Sequence, residues 1–294
     1  MLTRDQLEQF KRDGFLVVPE FSGREEVDKL FHHGTELVDQ YDLQNDFILG
    51  SQTNTTNEYF LKSASDIGFF FEKNAFDENG RLAKPKSSAV HKLGHALHDL
   101  DPVFRAWTRE NPRIRGILKD LGYQRPVPVQ SLFHFKPSGI GSAVPVHQDG
   151  TYLATEPQSV VAFWLSLEPA DRTNGCLWVL PGSHMQGVRR RFRHTSGGSM
   201  EYDQPLPEEF EDKQGYVPVE VEKGTLVLLH AAVAHYSEPN TSGHSRHAVV
   251  IHFVEGTDDY KWSSDNWLQR RESLPFVPLY DDAMRPSSIS VLQT

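Results

Sequence analysis

The residues best suited to chemistry lie in Val144-Pro-Val-His147-Gln-Asp149-Gly150. His147-x-Asp149 is the only His-x-Asp or His-x-Glu in a chain with 14 histidines. Side chains alternate along an extended strand, so an imidazole and a carboxylate two residues apart face the same side. Such a pair can close on one metal ion. With a second histidine it forms a two-His, one-carboxylate face, the donor set of non-haem iron with open coordination positions. Alone, a His-x-Asp is also a common surface feature, so the reading depends on the rest of the chain.

Two later histidines can supply the third donor. His230 and His235 both lie in Gly224-Thr-Leu-Val-Leu-Leu-His230-Ala-Ala-Val-Ala-His235-Tyr-Ser237, and residue type does not choose between them. Arg246 follows 11 residues after His235 and precedes the apolar stretch His247-Ala-Val-Val-Ile-His-Phe253. A guanidinium is always charged and its planar fork matches a carboxylate. Turned into the interior it would need an anion, because an unpaired buried charge is prohibitively costly. A dicarboxylic cosubstrate would supply that anion.

The elements that must carry these residues follow from periodicity. Thr3-Arg-Asp-Gln6 has the form of a capping box, Leu7 and Phe10 share a helical face, and Gly14 can close the helix. Phe15–Val18 reads as a strand. Ser22-Gly-Arg-Glu25 reads as a second capping box, opening a helix to about Tyr41 with Val27, Leu30, Phe31, Leu37 and Val38 inward. Gln52–Asn57 is turn-prone, Ile67–Phe71 a possible strand pattern, and Asp77–Gly80 a turn. Helical patterns cover Ser88–Leu100, Val103–Arg109 after Pro102, and Pro112–Leu121. From Pro126 the period changes. Val129–Phe135, Val160–Leu167, Cys176–Leu180, Thr225–Leu229 and Ala248–Val254 are strand-length apolar runs between turn residues. Helices followed by many short strands predict an α+β fold whose later part is a two-sheet barrel or jelly roll. The expected organisation is one domain over 1–294: a helical part to about 125, a jelly-roll core over about 126–256, and an extension over 257–294.

Composition narrows the function classes. Hydrophobic residues are 38% of the 294-residue chain, enough for a core. A net charge of −10 argues against general affinity for nucleic acid or anionic membrane. The single cysteine, Cys176, allows no intrachain disulfide and suits a reducing compartment. No stretch reaches the roughly 20 apolar residues of a membrane span. The start lacks the pattern of a secretory signal, and Val-Leu-Gln-Thr294 is not a Ser-Lys-Leu address. An intracellular, cytoplasmic monomer is expected, with no nucleic-acid or membrane partner.

His147-x-Asp149, His235 and Arg246 together resemble the phytanoyl-CoA dioxygenase family. Supporting blocks are Phe10-x-x-x-Gly14-Phe-Leu-Val-Val-Pro19, Phe133-His-Phe-Lys-Pro137, Asn174-Gly-Cys-Leu-Trp-Val-Leu-Pro-Gly-Ser-His184 and Gly224–His230. The likeness runs from about Leu7 to Val254. His91–Phe104 is most similar to the family's domain-containing protein 1 branch. The resemblance implies a double-stranded β-helix, flanked by N-terminal helices, that uses Fe(II), 2-oxoglutarate and O2. It implies His147, Asp149 and His235 as iron ligands, and Arg246 with Ser237 at the distal carboxylate of 2-oxoglutarate. Lys92 matches a cosubstrate-contacting lysine, although its spacing to His147 departs from the branch. Leu132, where methionine is usual, and Trp164 match pocket-lining positions. His230 matches a position that is not a ligand. Related halogenases lack the carboxylate, so Asp149 implies hydroxylation of a small-molecule or acyl substrate that the residues do not specify. Two other readings are a catalytically silent binding or scaffolding protein of the same fold, and a zinc hydrolase, which would leave Arg246 without a role. Arg189-Arg-Arg-Phe-Arg193 reads either as a solvated face or as an anchor for an anionic substrate group.

Overall fold

The computed structural model describes residues 1–43, 48–49, 58–195 and 199–282; the expected turn at Gln52–Asn57 lies outside them. Its strands are β1 Phe15–Val18, β2 Ile48–Leu49, β3 Ile67–Phe71, β4 Val90–His95, β5 Pro126–His134, β6 Val144–His147, β7 Thr155–Glu156 and β8 Val161–Ser166. They continue as β9 Leu177–Val179, β10 Phe192–His194, β11 Met200–Tyr202, β12 Val217–Val219, β13 Leu226–His230, β14 His235–Ser237, β15 Ala248–Glu255 and β16 Lys261–Trp262. An eight-stranded sheet has the order β1-β13-β8-β15-β5-β4-β3-β2 and a four-stranded sheet the order β12-β9-β14-β6. Side chains from both meet in one cluster that includes Ala162, Trp164, Val227 and Val250 from the large sheet and Leu177, Val179 and Val219 from the small one. This is the expected jelly-roll arrangement, with two facing sheets rather than a closed barrel.

The helices cover the other face of the large sheet. Besides the short α3 (Glu58–Lys62) and α4 (Leu97–Leu100), the helices α1 (Arg4–Asp13), α2 (Arg24–Gln40), α5 (Pro102–Glu110) and α6 (Pro112–Asp120) pack with Phe163, Leu165, Leu228, Ile251 and Phe253. Strand β8 shows the logic. Phe163 and Leu165 belong to the helix-side core, Ala162 and Trp164 to the inter-sheet core, so period-2 alternation assigns the faces although both are apolar. The first capping box forms as expected between Thr3 and Gln6, and Gly14 closes α1 at φ 77°.

Two expectations fail. The second capping box does not form: Gly23 is the N-cap, without a side-chain bond. The backbone of Ser22 is tied to the turn before β13 through its N–H to Gly224 O at 3.0 Å. The expected helix over Ser88–Leu100 is strand β4 followed by the one-turn helix α4 (Leu97–Leu100). Val90, Leu93 and Leu97 fit a helical stripe, but β4 pairs on one edge with β3 and on the other with β5. Backbone pairing on both edges outweighs local propensity. The part before residue 126 therefore supplies β1, β3 and β4 to the large sheet as well as helices.

Gly34 sets how closely α2 lies on that sheet. A Cβ there would meet Phe133 Cε2 at 2.3 Å and two further ring carbons within 2.8 Å, and Phe133 is fully buried. Gly to Ala ordinarily gains about 0.5–1 kcal/mol in a helix, whereas overpacking costs about 1–3 kcal/mol. Gly34→Ala should therefore lower the unfolding midpoint in denaturant; a raised midpoint would show that the helix can lift away at no cost.

Candidate metal and cosubstrate site

Strand β14 lies between β9 and β6, and its pairing with β6 puts His235 opposite His147 and Ser237 opposite Val144. The two imidazole centroids are 4.2 Å apart. Directly after β6 the chain turns through Asp149–Thr151. Gln148 anchors that turn, its Nε2 donating to Ala232 O at 2.5 Å and Gly187 O at 3.0 Å, its Oε1 accepting from Arg189 N at 2.8 Å. Asp149 Oδ1 then lies 3.6 Å from His147 Nε2 and 3.7 Å from His235 Nε2. One ligand atom from each residue falls within 4.8 Å of the others, a spacing that can hold a metal ion.

Hydrogen bonding prepares both imidazoles. His147 Nδ1 contacts Pro145 O at 2.8 Å and His235 Nδ1 contacts Val233 O at 3.0 Å. A carbonyl only accepts, so Nδ1 carries the proton in each ring and Nε2 presents its lone pair. Burial, aided by His235, pushes His147 down to about 4, so it is neutral at physiological pH. Burial of Asp149 works toward a higher pKa, but His252, His235 and His147 around it hold the carboxyl well below its usual range. Its Oδ2 is buried without an aligned hydrogen bond, 3.3 Å from His252 Nε2.

His235, not His230, is the histidine the fold brings to Asp149. His230 Nδ1 accepts from Ala232 N at 3.1 Å, and its ring packs 5.0 Å from that of His184.

The same cavity, about 450 Å³, also receives Lys92, Leu132, Trp164, Ser237 and Arg246. Arg246 is 3% exposed. Its Nε donates to Gly175 O at 3.1 Å, its guanidinium lies 5.4 Å from the Trp164 ring, and its Nη1 has no hydrogen-bond partner. Burial draws its pKa down to about 10. Lys92 approaches the Phe70 ring at 5.1 Å, and burial draws it down to about 8. A buried guanidinium with a free Nη1 fits an anionic ligand, and the open imidazole nitrogens with a buried carboxylate oxygen fit a divalent metal.

Sequence reasoning missed His252, Gln130, Tyr152 and Lys136. Gln130, Tyr152 and His252 line the cavity, and Lys136 Nζ donates to Ser237 Oγ at 2.8 Å. A signal existed for His252, which has the same strand parity as Ala248 and Val250 on the inward face of β15. The basic loop divides. Arg189 pairs with Glu209 at 2.8 Å, and Asp265 takes Arg191 at 2.7 Å and Arg193 at 3.8 Å. Arg190 lies over the Tyr202 ring at 4.1 Å and lines the cavity. In the Asn174–His184 block, Ser183 Oγ donates to Leu180 O and accepts from Ala234 N, so it holds a turn.

The profile described as "Phytanoyl-CoA dioxygenase (PhyH)" matches residues 10–248. The chain belongs to the phytanoyl-CoA dioxygenase family. Among similar family members, "Phytanoyl-CoA dioxygenase" of Arabidopsis thaliana is 42% identical, over 95% of this chain and 97% of that protein. "Phytanoyl-CoA dioxygenase domain-containing protein 1" of Bos taurus is 41% identical, over 95% and 99%. Solved structures share the fold at low identity. The epimerase SnoN, in complex with Fe3+, alpha ketoglutarate and nogalamycin RO, matches at a TM-score of 0.64 and 14% identity, covering 95% of each chain. EctD from S. alaskensis, with 2-oxoglutarate and 5-hydroxyectoine, matches at 0.61 and 17%, covering 99% of this chain and 86% of that one. Among the described residues no helix is long and apolar enough to cross a membrane.

In this family member the backbone around Arg246 is fixed by Glu168. Its Oε2 accepts from His247 N at 2.9 Å and contacts His247 Nδ1 at 2.6 Å, while Oε1 accepts from Ser245 Oγ at 3.0 Å. Burial opposes ionisation of Glu168, but these bonds prevail and draw its pKa down to about 2. A depressed carboxyl contributes stability above its unfolded pKa and loses it as pH falls through the folded one. The stability difference between wild type and Glu168→Gln should therefore be full above about pH 5 and shrink as pH falls toward about 2. Urea midpoints read at intervals across that range check this; a constant difference would mean that Glu168 acts through packing alone.

Proposed function

We propose that this protein is an Fe(II)- and 2-oxoglutarate-dependent dioxygenase that hydroxylates an organic substrate, with His147, Asp149 and His235 as iron ligands. The observation that carries the reading is Arg246. A metal-binding protein has no need of a buried guanidinium beside its metal, and a hydrolase that activates water at zinc has none either. A ligand that chelates a metal at one end and presents a carboxylate at the other accounts for both halves of the cavity, and 2-oxoglutarate is such a ligand. Similarity to family members named phytanoyl-CoA dioxygenase supports the same reading.

When bound, iron and 2-oxoglutarate would supply the oxidising chemistry, with O2 consumed and succinate and CO2 released. The chain contributes position and exclusion of water. The Nδ1–carbonyl bonds of His147 and His235 hold both rings with Nε2 toward the metal. Asp149, whose carboxyl lies well below its usual range, would with the two imidazoles hold the metal from one side and offset part of its charge. Arg246 and Ser237 take the distal carboxylate, with Lys92, Leu132 and Trp164 walling the cosubstrate. Tyr152, Tyr202 and Arg190 line the same cavity and are assigned to the prime substrate, Tyr152 packing 6.1 Å from the His147 ring.

Anaerobic titration of the protein with Fe(II) and 2-oxoglutarate, followed by exposure to air and assay of succinate, tests this directly. Wild type should develop the visible absorbance of an iron–2-oxo acid chelate and form succinate. Asp149→Ala should form none. Arg246→Ala should bind Fe(II) normally but lose about tenfold or more in 2-oxoglutarate affinity, the expected cost of removing a hydrogen bond to a charged group. Wild-type turnover by Asp149→Ala would show the metal assignment to be wrong.

A further inference from the structure

Lys136 follows β5 and is buried to 2% exposure. Its Nζ donates to Ser142 O at 2.7 Å and to Ser237 Oγ at 2.8 Å, and among the described residues no carboxylate pairs with it. Its backbone is as constrained as its side chain. Lys136 O accepts from Arg246 N at 3.2 Å and from Asn240 Nδ2 at 2.8 Å. One residue thus touches both groups assigned to the distal carboxylate: Arg246 through the main chain and Ser237 through the side chain. Gly175 permits the approach, since a Cβ there would lie 2.5 Å from Lys136 Cε.

Two long cationic side chains buried together without an anion are costly unless a ligand supplies one. Hydrogen-bond inventory then decides what each does. An ammonium has three N–H groups and no lone pair, so it can only donate. While the lysine is protonated, as a bound carboxylate would keep it, Ser237 Oγ must accept from it and the hydroxyl proton must point elsewhere. Ser237 lines the cavity, as does Arg246 with its free Nη1. We propose that Lys136 is a positioning residue that turns the Ser237 hydroxyl proton into the cavity, where it and Arg246 together bind the distal carboxylate of 2-oxoglutarate. This rests on the dioxygenase reading above and adds a residue to it.

The electrostatic surroundings agree. Burial, then repulsion from Arg246, draws Lys136 down to about 6, against weaker support from Glu72, Glu238 and Cys176. Glu72 is engaged elsewhere, with His91 at 3.0 Å and with the N–H and hydroxyl of Ser142. His91 and His134 also lie close enough to feel the lysine's charge. A carboxylate at Arg246 and Ser237 would reverse this balance and hold the ammonium charged. Its binding would then be accompanied by proton uptake, so affinity should fall as pH rises above about 6.

The test compares two 2-oxo acids on the Fe(II)-loaded protein without oxygen, read by the visible chelate absorbance. One is 2-oxoglutarate; the other, 2-oxobutanoate, keeps the chelating end and lacks the distal carboxylate. Lys136→Met should weaken 2-oxoglutarate about tenfold or more and change 2-oxobutanoate less than about twofold. In a Ser237→Ala background the same substitution should cost clearly less than it does in wild type, because part of the lysine's effect runs through that hydroxyl. Unchanged 2-oxoglutarate affinity, equal losses for both acids, or fully multiplicative losses would each overturn the proposal. Should Lys136→Met fail to fold, the wild type still decides. Its preference for 2-oxoglutarate over 2-oxobutanoate should fall between about pH 6 and 7.5, below the range where Lys92 titrates, and a flat preference overturns the proposal. A wild type that forms no chelate with either acid removes the dioxygenase reading itself, and with it this inference; chelates with both acids but no effect of Lys136 remove the inference alone.

Discussion

The site depends on one antiparallel pairing. Strand β14 is three residues long, yet it is held on both edges, by β9 and by β6. That pairing sets His235 opposite His147 and Ser237 opposite Val144. A slip of one residue would turn His235 away and bring Tyr236 in, because side chains change face at every step. Both neighbours and the Gln148 bonds to Ala232 and Gly187 oppose such a slip. Register is therefore the quantity on which the three-residue face rests.

Around that register the molecule sorts polar from apolar by face. On the helix side of the large sheet, Phe133, Phe163, Leu165, Ile251 and Phe253 pack in one cluster with α1, α2, α5 and α6. On the other side, the same strands present Gln130, His134, Trp164 and His252 to the cavity. The dense outer core stiffens strands whose inner faces carry groups that are expensive to bury. His252, His134 and Lys92 are placed in this way, and Arg246 enters the cavity from just before β15. On the proposed reading, a metal and a dianion repay part of that cost only when they bind.

Much of this was legible in the residues. His147-x-Asp149 was legible from its donor types and spacing, although a turn anchored by Gln148, not the strand alternation expected, brings Asp149 beside His147. Arg246 was legible as a charge that would need an anion if turned inward. The short strands from Pro126 onward, α5 behind Pro102 and the Thr3–Gln6 cap follow from local chemistry that the structure reproduces. His91–His98 was misread because its apolar spacing suits a helix as well as a strand, and only pairing with β3 and β5 separates the two. Ser22 failed as a cap because α2 begins at Arg24, which makes Gly23 the N-cap.

The sequence by itself determined the donor types, the order of the elements and, through family resemblance, the kind of chemistry to expect. Tertiary structure decided between His230 and His235, because two histidines five residues apart on neighbouring strand ends differ only in which sheet they join. It also brought Lys136 under Ser237 and Asp149 beside His252. Those contacts join residues about a hundred positions apart. Local propensity has no term for such distances, whereas strand register and burial do.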